Sequence, residues 1–382
     1  METHTRIRDI QWKQLLSLII LDIAIILSWI AYTKYQPNLV QQFGFGKFAL
    51  ILAIVQGIIL VVTPPIAGSV ADRVRKTSGK RLPVINIGIN VVSMVFMAVA
   101  VTIFAKPTGF ITLIFPVLIV LWLISMNIFH SPAISMVETF VPVERLPSVM
   151  AIFVMLTEIT YAVEPSINDL MEFFGAALTF VVGGLLVFGS GWMLQRSSLS
   201  LPSTTQTFSK EQPEEKSNFG LVILTGLIMG IATTVFFNIF PDYLQSRISF
   251  LKADGFKGSY YVSLLAAFAA LISIPVGRWI ERYGLIQAAQ IGYISILILT
   301  IGILYIPQPQ VVLVLSMLYP IAFSILSVSA FPLVFDRLSS THKVLGVGLF
   351  FSGVELPNSL MDILQVMGQT PSIAGQILSF SF

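Results

Sequence analysis

Eleven apolar segments follow one another along the chain, at about 13–35, 46–70, 83–105, 109–139, 147–165, 174–195, 217–240, 257–276, 285–306, 309–335 and 344–365. Each is long enough to cross a bilayer of about 30 Å at about 1.5 Å per helical residue. They are continuous runs, not the short alternating stretches of a membrane barrel. Charged residues make up 11% of the sequence and mean hydropathy is +0.88, too little charge to keep the surface of a soluble domain wet. The expected fold class is therefore all-α and integral to a membrane. A twelfth segment starts near Pro371, and Ser372 to Phe382 is too short to span alone, so the last helix is either truncated or a half-span. The first segment contains Asp22 and lacks a small-residue cleavage site, so it reads as a helix and not as a removable signal.

A short pattern occurs twice. Gly68, three residues, then Asp72-Arg73 closes segment 2; Gly277, three residues, then Glu281-Arg282 closes segment 8. A partial repeat of this kind predicts two pseudo-symmetric six-helix bundles, 1–195 and 217–382. Between them, 196–216 is rich in Ser, Thr, Pro, Glu and Lys with no apolar period, and reads as a solvated linker. With the N-terminus placed in the cytoplasm, sixteen of the 22 lysines and arginines fall on inner loops and six on outer ones. The expected protein is multi-pass, with its N-terminus, its central linker and both repeated turns cytoplasmic.

Several classes are excluded or disfavoured. There is no cysteine, hence no disulfide and no thiolate site, and His4, His130 and His342 are too scattered for a histidine metal cluster. The net charge of +3 is spread over short loops and does not imply nucleic acid. No P-loop, no H-E-x-x-H and no framed serine–histidine pair is present, which argues against an ATP-driven machine and against an enzyme. No cofactor or metal is expected. The expected partners are the lipid bilayer, a small-molecule solute and protons, with the chain acting as a monomer.

The first turn continues through Arg75 and Lys76 to Gly79, Lys80, Arg81 and Pro83. Gly68 lets segment 2 approach a neighbour closely. Asp72 can accept bonds from a facing helix N-terminus or an arginine. Gly79 permits a tight turn, and the cations suit anionic lipid. In this ordered set the chain resembles the major facilitator superfamily, whose signature loop has this form with a weaker second copy. The longer spacing, Asp72-Arg73, five residues, then Gly79-Lys80-Arg81-Leu82-Pro83, is similar to the loop of sucrose/proton symporters and of glycoside–pentoside–hexuronide carriers. Ser131-Pro132-Ala133 and the polar stretch Val141 to Arg145 strengthen that likeness. Two positions depart from it. Ile134 stands where the sugar branch carries arginine, and the family's acid falls at Thr139 with Glu138 one place earlier. A shift of one residue turns a side chain by about 100° and argues against sucrose itself. The resemblance implies a major facilitator fold and a cytoplasmic latch in which Asp72 meets either Arg145 or the helix beginning near Lys343, with a second latch through Glu281.

Charge inside a membrane costs about 2.5–3.5 kcal/mol on insertion scales and survives in a wet cavity, beside a partner or when neutralised by a proton. The candidates for a solute and proton path are Asp22, Glu158, Glu355 and Asp362, with Asn358 sharing the face of Glu355 and Asp362. Asn127, His130, Ser131, Ser135 and Glu138, at offsets of 3, 4, 8 and 11, form a stripe on one helical face of segment 4. Each has a plain alternative: Asp22 as an interhelical hydrogen bond, His130 as a satisfied core histidine, and Trp29, Tyr32 and Tyr35 as an interface belt instead of a sugar-stacking surface. The expected function is secondary active transport of a small polar solute, such as a sugar or glycoside, coupled to protons and working by alternating access. The alternatives are an exporter or lipid/pigment carrier of the same fold, and a non-transporting sensor or assembly factor.

Overall fold

The computed structural model describes residues 9–79, 81–199, 217–248, 251 and 257–368. The expected linker beyond 199, the final segment from Pro371 and Lys80 of the first turn lie outside the described residues. Among the described residues thirteen α-helices follow in chain order: α1 (Trp12–Gln42), α2 (Ala49–Ser78), α3 (Leu82–Ala105), α4 (Ile114–Ile134), α5 (Val137–Phe140), α6 (Leu146–Ala162), α7 (Glu164–Ser198), α8 (Phe219–Thr234), α9 (Phe240–Arg247), α10 (Gly258–Tyr283), α11 (Leu285–Tyr305), α12 (Pro309–Asp336) and α13 (Lys343–Val366). A π-helical turn, Val235–Ile239, joins α8 to α9. No strand occurs among the described residues, and ten of their helical spans are long and apolar enough to cross a membrane. The protein is an all-α, multi-pass integral membrane protein.

Each apolar segment has a helix, but several boundaries move: α2 runs to Ser78 and α10 to Tyr283, past the expected 70 and 276. α1 runs seven residues beyond the expected 35 and ends at Gln42. α7 begins at Glu164 instead of near 174, because a polar helical stretch precedes a kink at Gly175 (φ 75°, ψ 165°), a conformation open essentially to glycine alone. Segment 4 is not one helix to 139: α4 stops at Ile134, Ser135 and Met136 form a turn, and α5 restarts at Val137. The 3.6-residue period that aligned Asn127 with Glu138 is therefore interrupted.

The chain divides into two compact units. The first comprises Met1–Leu146, Ile167–Ile223 and Val334–Ser352. Here α4 packs along α2 and α3. The start of α13 lies on α2 backbone to backbone: a Cβ on Gly68 would meet the Val344 carbonyl, and one on Gly348 would meet the Pro64 carbonyl. Proline helps to make this seam. Pro65 has no N–H for the Val61 carbonyl, and that oxygen instead accepts a bond from Ser352 Oγ at 2.5 Å.

The second unit comprises Pro147–Ser166, Leu224–Leu333 and Gly353–Phe382. Its core gathers Phe236, Phe240, Tyr319 and Phe323 with the inner faces of α10 and α11. α6 lies on α10 through Ala151, Val154, Val276 and Ile280, and Ser273 Oγ donates to the Ala151 carbonyl at 3.0 Å.

Candidate gate and transport path

The first turn builds an interhelical cap. α2 ends on Gly79 (φ 69°), whose amide closes on the Arg75 carbonyl at 2.9 Å. One helical turn earlier, the Asp72 carboxylate is buried at 5% exposure. Its Oδ2 accepts the Leu345 amide at 2.9 Å and its Oδ1 the Val344 amide at 3.3 Å. These are two of the first amides of α13, which have no acceptor within their own helix. Asp72 thus caps α13 from another helix and places its charge at the positive end of the dipole. Of the two partners the resemblance offered, the helix start is the one that Asp72 bonds. Arg145 lies exposed in the turn Val143–Arg145. Arg75 adds a bond from NH1 to the Ser340 carbonyl at 3.2 Å, just before α13.

A second acid closes the same seam. Arg81, at 6% exposure before α3, donates NH1 to the Ser135 carbonyl at 2.8 Å and NH2 to Glu138 Oε1 at 2.8 Å. The other oxygen, Oε2, accepts Lys343 Nζ at 2.5 Å. One carboxylate therefore ties the start of α3 to the start of α13. Glu138 was expected on a polar path; the turn at Ser135 carries it into this network instead. The sequence signal for the pairing was topological: Arg81 and Lys343 fall at loops assigned to one membrane face, and Glu138 at the same end of segment 4. Lys343 had not been singled out as a site residue.

The second turn is built from the same letters. A Cβ on Gly277 would come 2.7 Å from Ala151 Cβ and 3.0 Å from the Pro147 carbonyl. α10 ends on Gly284 (φ 113°), whose amide bonds the Ile280 carbonyl at 3.0 Å. Glu281 is half-buried, and Arg282, like Arg73, is exposed.

The remaining path residues are spread over both units. Asp22 is half-buried in α1 and has no hydrogen-bond or ion-pair partner among the described residues. Glu158 of α6 is 4% exposed, and its Oε2 has no partner among the described residues. Asn127 is buried and donates to the Leu123 carbonyl of its own helix at 2.8 Å. His130 packs its ring on Phe351, with centroids 4.4 Å apart. Asn358 accepts Thr234 Oγ1 at 2.5 Å, which joins α13 to the last residue of α8 before the π turn. Glu355 is half-buried and Asp362 exposed, with like charge within electrostatic reach. No hydrogen bond or ion pair links Asp22, Asn127 and His130 among the described residues. Among the described residues, no three acidic or histidine side chains are grouped to hold a metal.

The aromatic residues of α1 are more interior than a belt. Tyr32 is 8% exposed and stacks on Trp122 at 4.4 Å, nearly parallel, while Trp29 meets Trp122 edge-on at 5.0 Å. Beside them Gln36, Phe115 and Phe180 border a narrow cleft.

A family profile described as Major Facilitator Superfamily matches residues 15–360. Among solved structures, a bacterial homologue of the iron transporter ferroportin in an outward-facing state superimposes with a TM-score of 0.68 at 12% identity, covering 96% of this chain and 95% of that one. The human organic anion transporter MFSD10 (TETRAN) gives 0.60 at 13% identity, with 94% of each chain covered. The proton:xylose symporter XylE gives 0.63 at 10% identity, covering 94% of this chain and 89% of that one. At these identities the likeness is one of fold. No curated protein sequence matches the chain.

Proposed function

Because the chain belongs to the major facilitator superfamily, a family of transporters, we propose that it is a secondary active carrier of a small polar organic solute, a sugar or glycoside, driven by protons. The observation that carries the reading is the double tether on the start of α13, by Asp72 through two amides and by Glu138 through Lys343. A carrier needs a seam that is closed in one state and open in another, and charge-assisted bonds to a helix start make a seam of that kind. In this reading 1–195 and 217–382 are the two repeats, the tethered face is cytoplasmic, and the solute enters from the opposite side. The likeness to sucrose/proton symporters and glycoside–pentoside–hexuronide carriers supplies the solute class.

Asp22 and Glu158 are the proton carriers of this scheme. Each is an acid in a membrane helix without a cation beside it among the described residues, so neutralisation by a proton is its route to stability. The test is uptake into proteoliposomes under an imposed pH gradient across a panel of sugars and glycosides. Gradient-driven accumulation is expected for at least one, and Asp22→Asn or Glu158→Gln should abolish accumulation while leaving exchange of solute across the membrane. Folded protein that accumulates none of the panel removes the solute assignment, and accumulation unchanged in both variants removes the proton assignment.

One observation favours a second reading, an exporter or carrier of an apolar solute such as a lipid or pigment. The hydroxyls of α12 turn away from any solute: Ser324 donates to the Ala269 carbonyl, Ser329 to the Ile325 carbonyl and Ser327 to Met229 sulfur. Uptake of a fluorescent lipid by the same vesicles, without sugar uptake, would select it. A sensor or assembly factor would instead tolerate loss of Asp72 with no change in function.

A further inference from the structure

We propose that residues 164–174 form an interfacial helix, seated at the headgroup boundary of the leaflet where α1 ends, with Leu170, Phe173 and Phe174 inserted among the acyl chains. The segment is a helix in its own right. Pro165 in its first turn suits a helix start, and Gly175 breaks the backbone after it. Two of its carbonyls accept bonds from α1: Lys34 Nζ donates to the Asn168 carbonyl at 2.6 Å, and the Tyr35 hydroxyl to the Met171 carbonyl in the last turn at 2.5 Å. Beyond the kink, Thr179 Oγ1 closes on the Gly175 carbonyl at 2.8 Å. A lysine near the C-terminal end also complements the helix dipole.

The surface of this helix has three faces. Met171 is buried, and Ile167 and Asn168 are half-buried, on the side tied to α1. Asp169 and Glu172 are exposed on the next side, where Glu172 reaches back to Lys34 at 3.4 Å. On the third, Leu170 is 56% exposed, Phe173 83% and Phe174 44%. Water is a poor neighbour for three large apolar side chains at helical spacing. The lipid surface is the occupant that fits, because exposed apolar side chains resume directly after the kink, at Leu178, Val182 and Leu185 on the membrane-spanning part of α7. Phe110 and Ile111, in the 3-10 turn before α4, are bare at the same end of the helices by chain order. A short helix with one apolar arc, one acidic arc and one protein-bound arc is suited to the interface plane, about 5–10 Å into the headgroup boundary. Lys34 and Tyr35 then fasten the end of α1 to the membrane surface through this helix.

The absence of cysteine makes the test direct. Single variants Leu170→Cys, Phe173→Cys and Asp169→Cys carry a nitroxide in the full chain, reconstituted in phosphatidylcholine vesicles. Collision rates are measured with oxygen, which partitions into lipid, and with a water-soluble nickel chelate. The ratio of oxygen to nickel accessibility should be several-fold higher at Leu170 and Phe173 than at Asp169. An equal ratio at all three positions puts the segment in water and overturns the proposal. Suppression of both collisions at Leu170 and Phe173 means that a protein surface or a second copy covers them, and overturns it as well. The readout does not depend on transport, so it stands or falls separately from the assigned solute.

Discussion

The two glycine–acid–arginine turns use the same spacing to different ends. At the first, Gly68 brings α2 against the backbone of α13, and Asp72 is buried as the cap of that helix. At the second, Gly277 brings α10 against the Ala151 methyl and the Pro147 carbonyl of α6, and Glu281 is only half-buried. Glycine serves close approach in both, but the acid is fully buried only at the first, where it caps a helix start. A shared pattern therefore preserves a way of packing two helices, and the charge chemistry is added or relaxed on top of it.

The largest effect is expected where a methyl is forced into each close approach. Gly68→Ala places a Cβ against Val344 and Leu345 backbone atoms, at 2.7–2.8 Å even after the nearest contact. Main chain cannot yield as a side chain does, so α13 must shift and both Asp72 bonds stretch. A loss of about 1–3 kcal/mol from overpacking is expected, seen as a drop of the melting temperature in detergent. Gly277→Ala should cost a comparable amount, but there the nearest atom is a side-chain methyl. Ala151→Gly should then recover much of the loss in Gly277→Ala, and no neighbouring truncation should recover Gly68→Ala. Equal failure of rescue at both turns would remove the distinction between a backbone seam and a side-chain seam.

Removing the acids comes next. Asp72→Ala leaves two helix-start amides without their acceptor, and charge-assisted bonds of this kind contribute about 1.5–3 kcal/mol. The tethered state should lose population by roughly ten- to a hundredfold, at about 1.4 kcal/mol for each factor of ten. A cysteine placed at Val344, buried at the capped start of α13, reports this as faster modification. Glu281→Ala, measured with a cysteine at buried Ile280, should change the rate less than threefold. Similar acceleration in both would mean that Glu281 holds its helix as firmly as Asp72 does.

The bridge through Glu138 is smaller again. Its carboxylate is 13% exposed and Lys343 24%, between a buried and a surface pair. A double-mutant cycle with Glu138→Gln and Lys343→Met should give a coupling of about 1–2 kcal/mol. Coupling under about 0.5 kcal/mol, the level of exposed pairs, leaves Asp72 as the only acid that sets the first turn apart.

Much of this arrangement was legible in the chain because it depends on local pattern. The apolar segments located the helices, and the first turn pointed to a close helix approach at Gly68. What was not legible depended on breaks in regularity. Segment 4 looked continuous, so Glu138 was aligned with Asn127; the turn at Ser135 is what swings it to Arg81 and Lys343. Residues 164–173 carry too few apolar residues to read as a span, and nothing in a hydropathy pattern reveals that Gly175 adopts a conformation joining that stretch to α7. Nor does it reveal that Ser352 would find the carbonyl that Pro65 leaves open.

The smallest effect should come from the arginines, the letters that make the two turns look most alike. Arg73 and Arg282 are both exposed. Exposed charges contribute little to the stability of a fold, and substitutions there change it by about 0.5 kcal/mol or less. Their common cause is the loop they occupy: a cation at the end of a spanning helix orients the chain in the bilayer and complements the helix C-terminus. Arg73→Gln and Arg282→Gln should therefore leave the melting temperature and solute flux nearly unchanged, singly and together. The informative failure is an asymmetric one. If Arg282→Gln alone slows flux while stability is kept, its guanidinium has a partner in a state other than this one, and the turn that is looser here is the one that tightens when the first lets go.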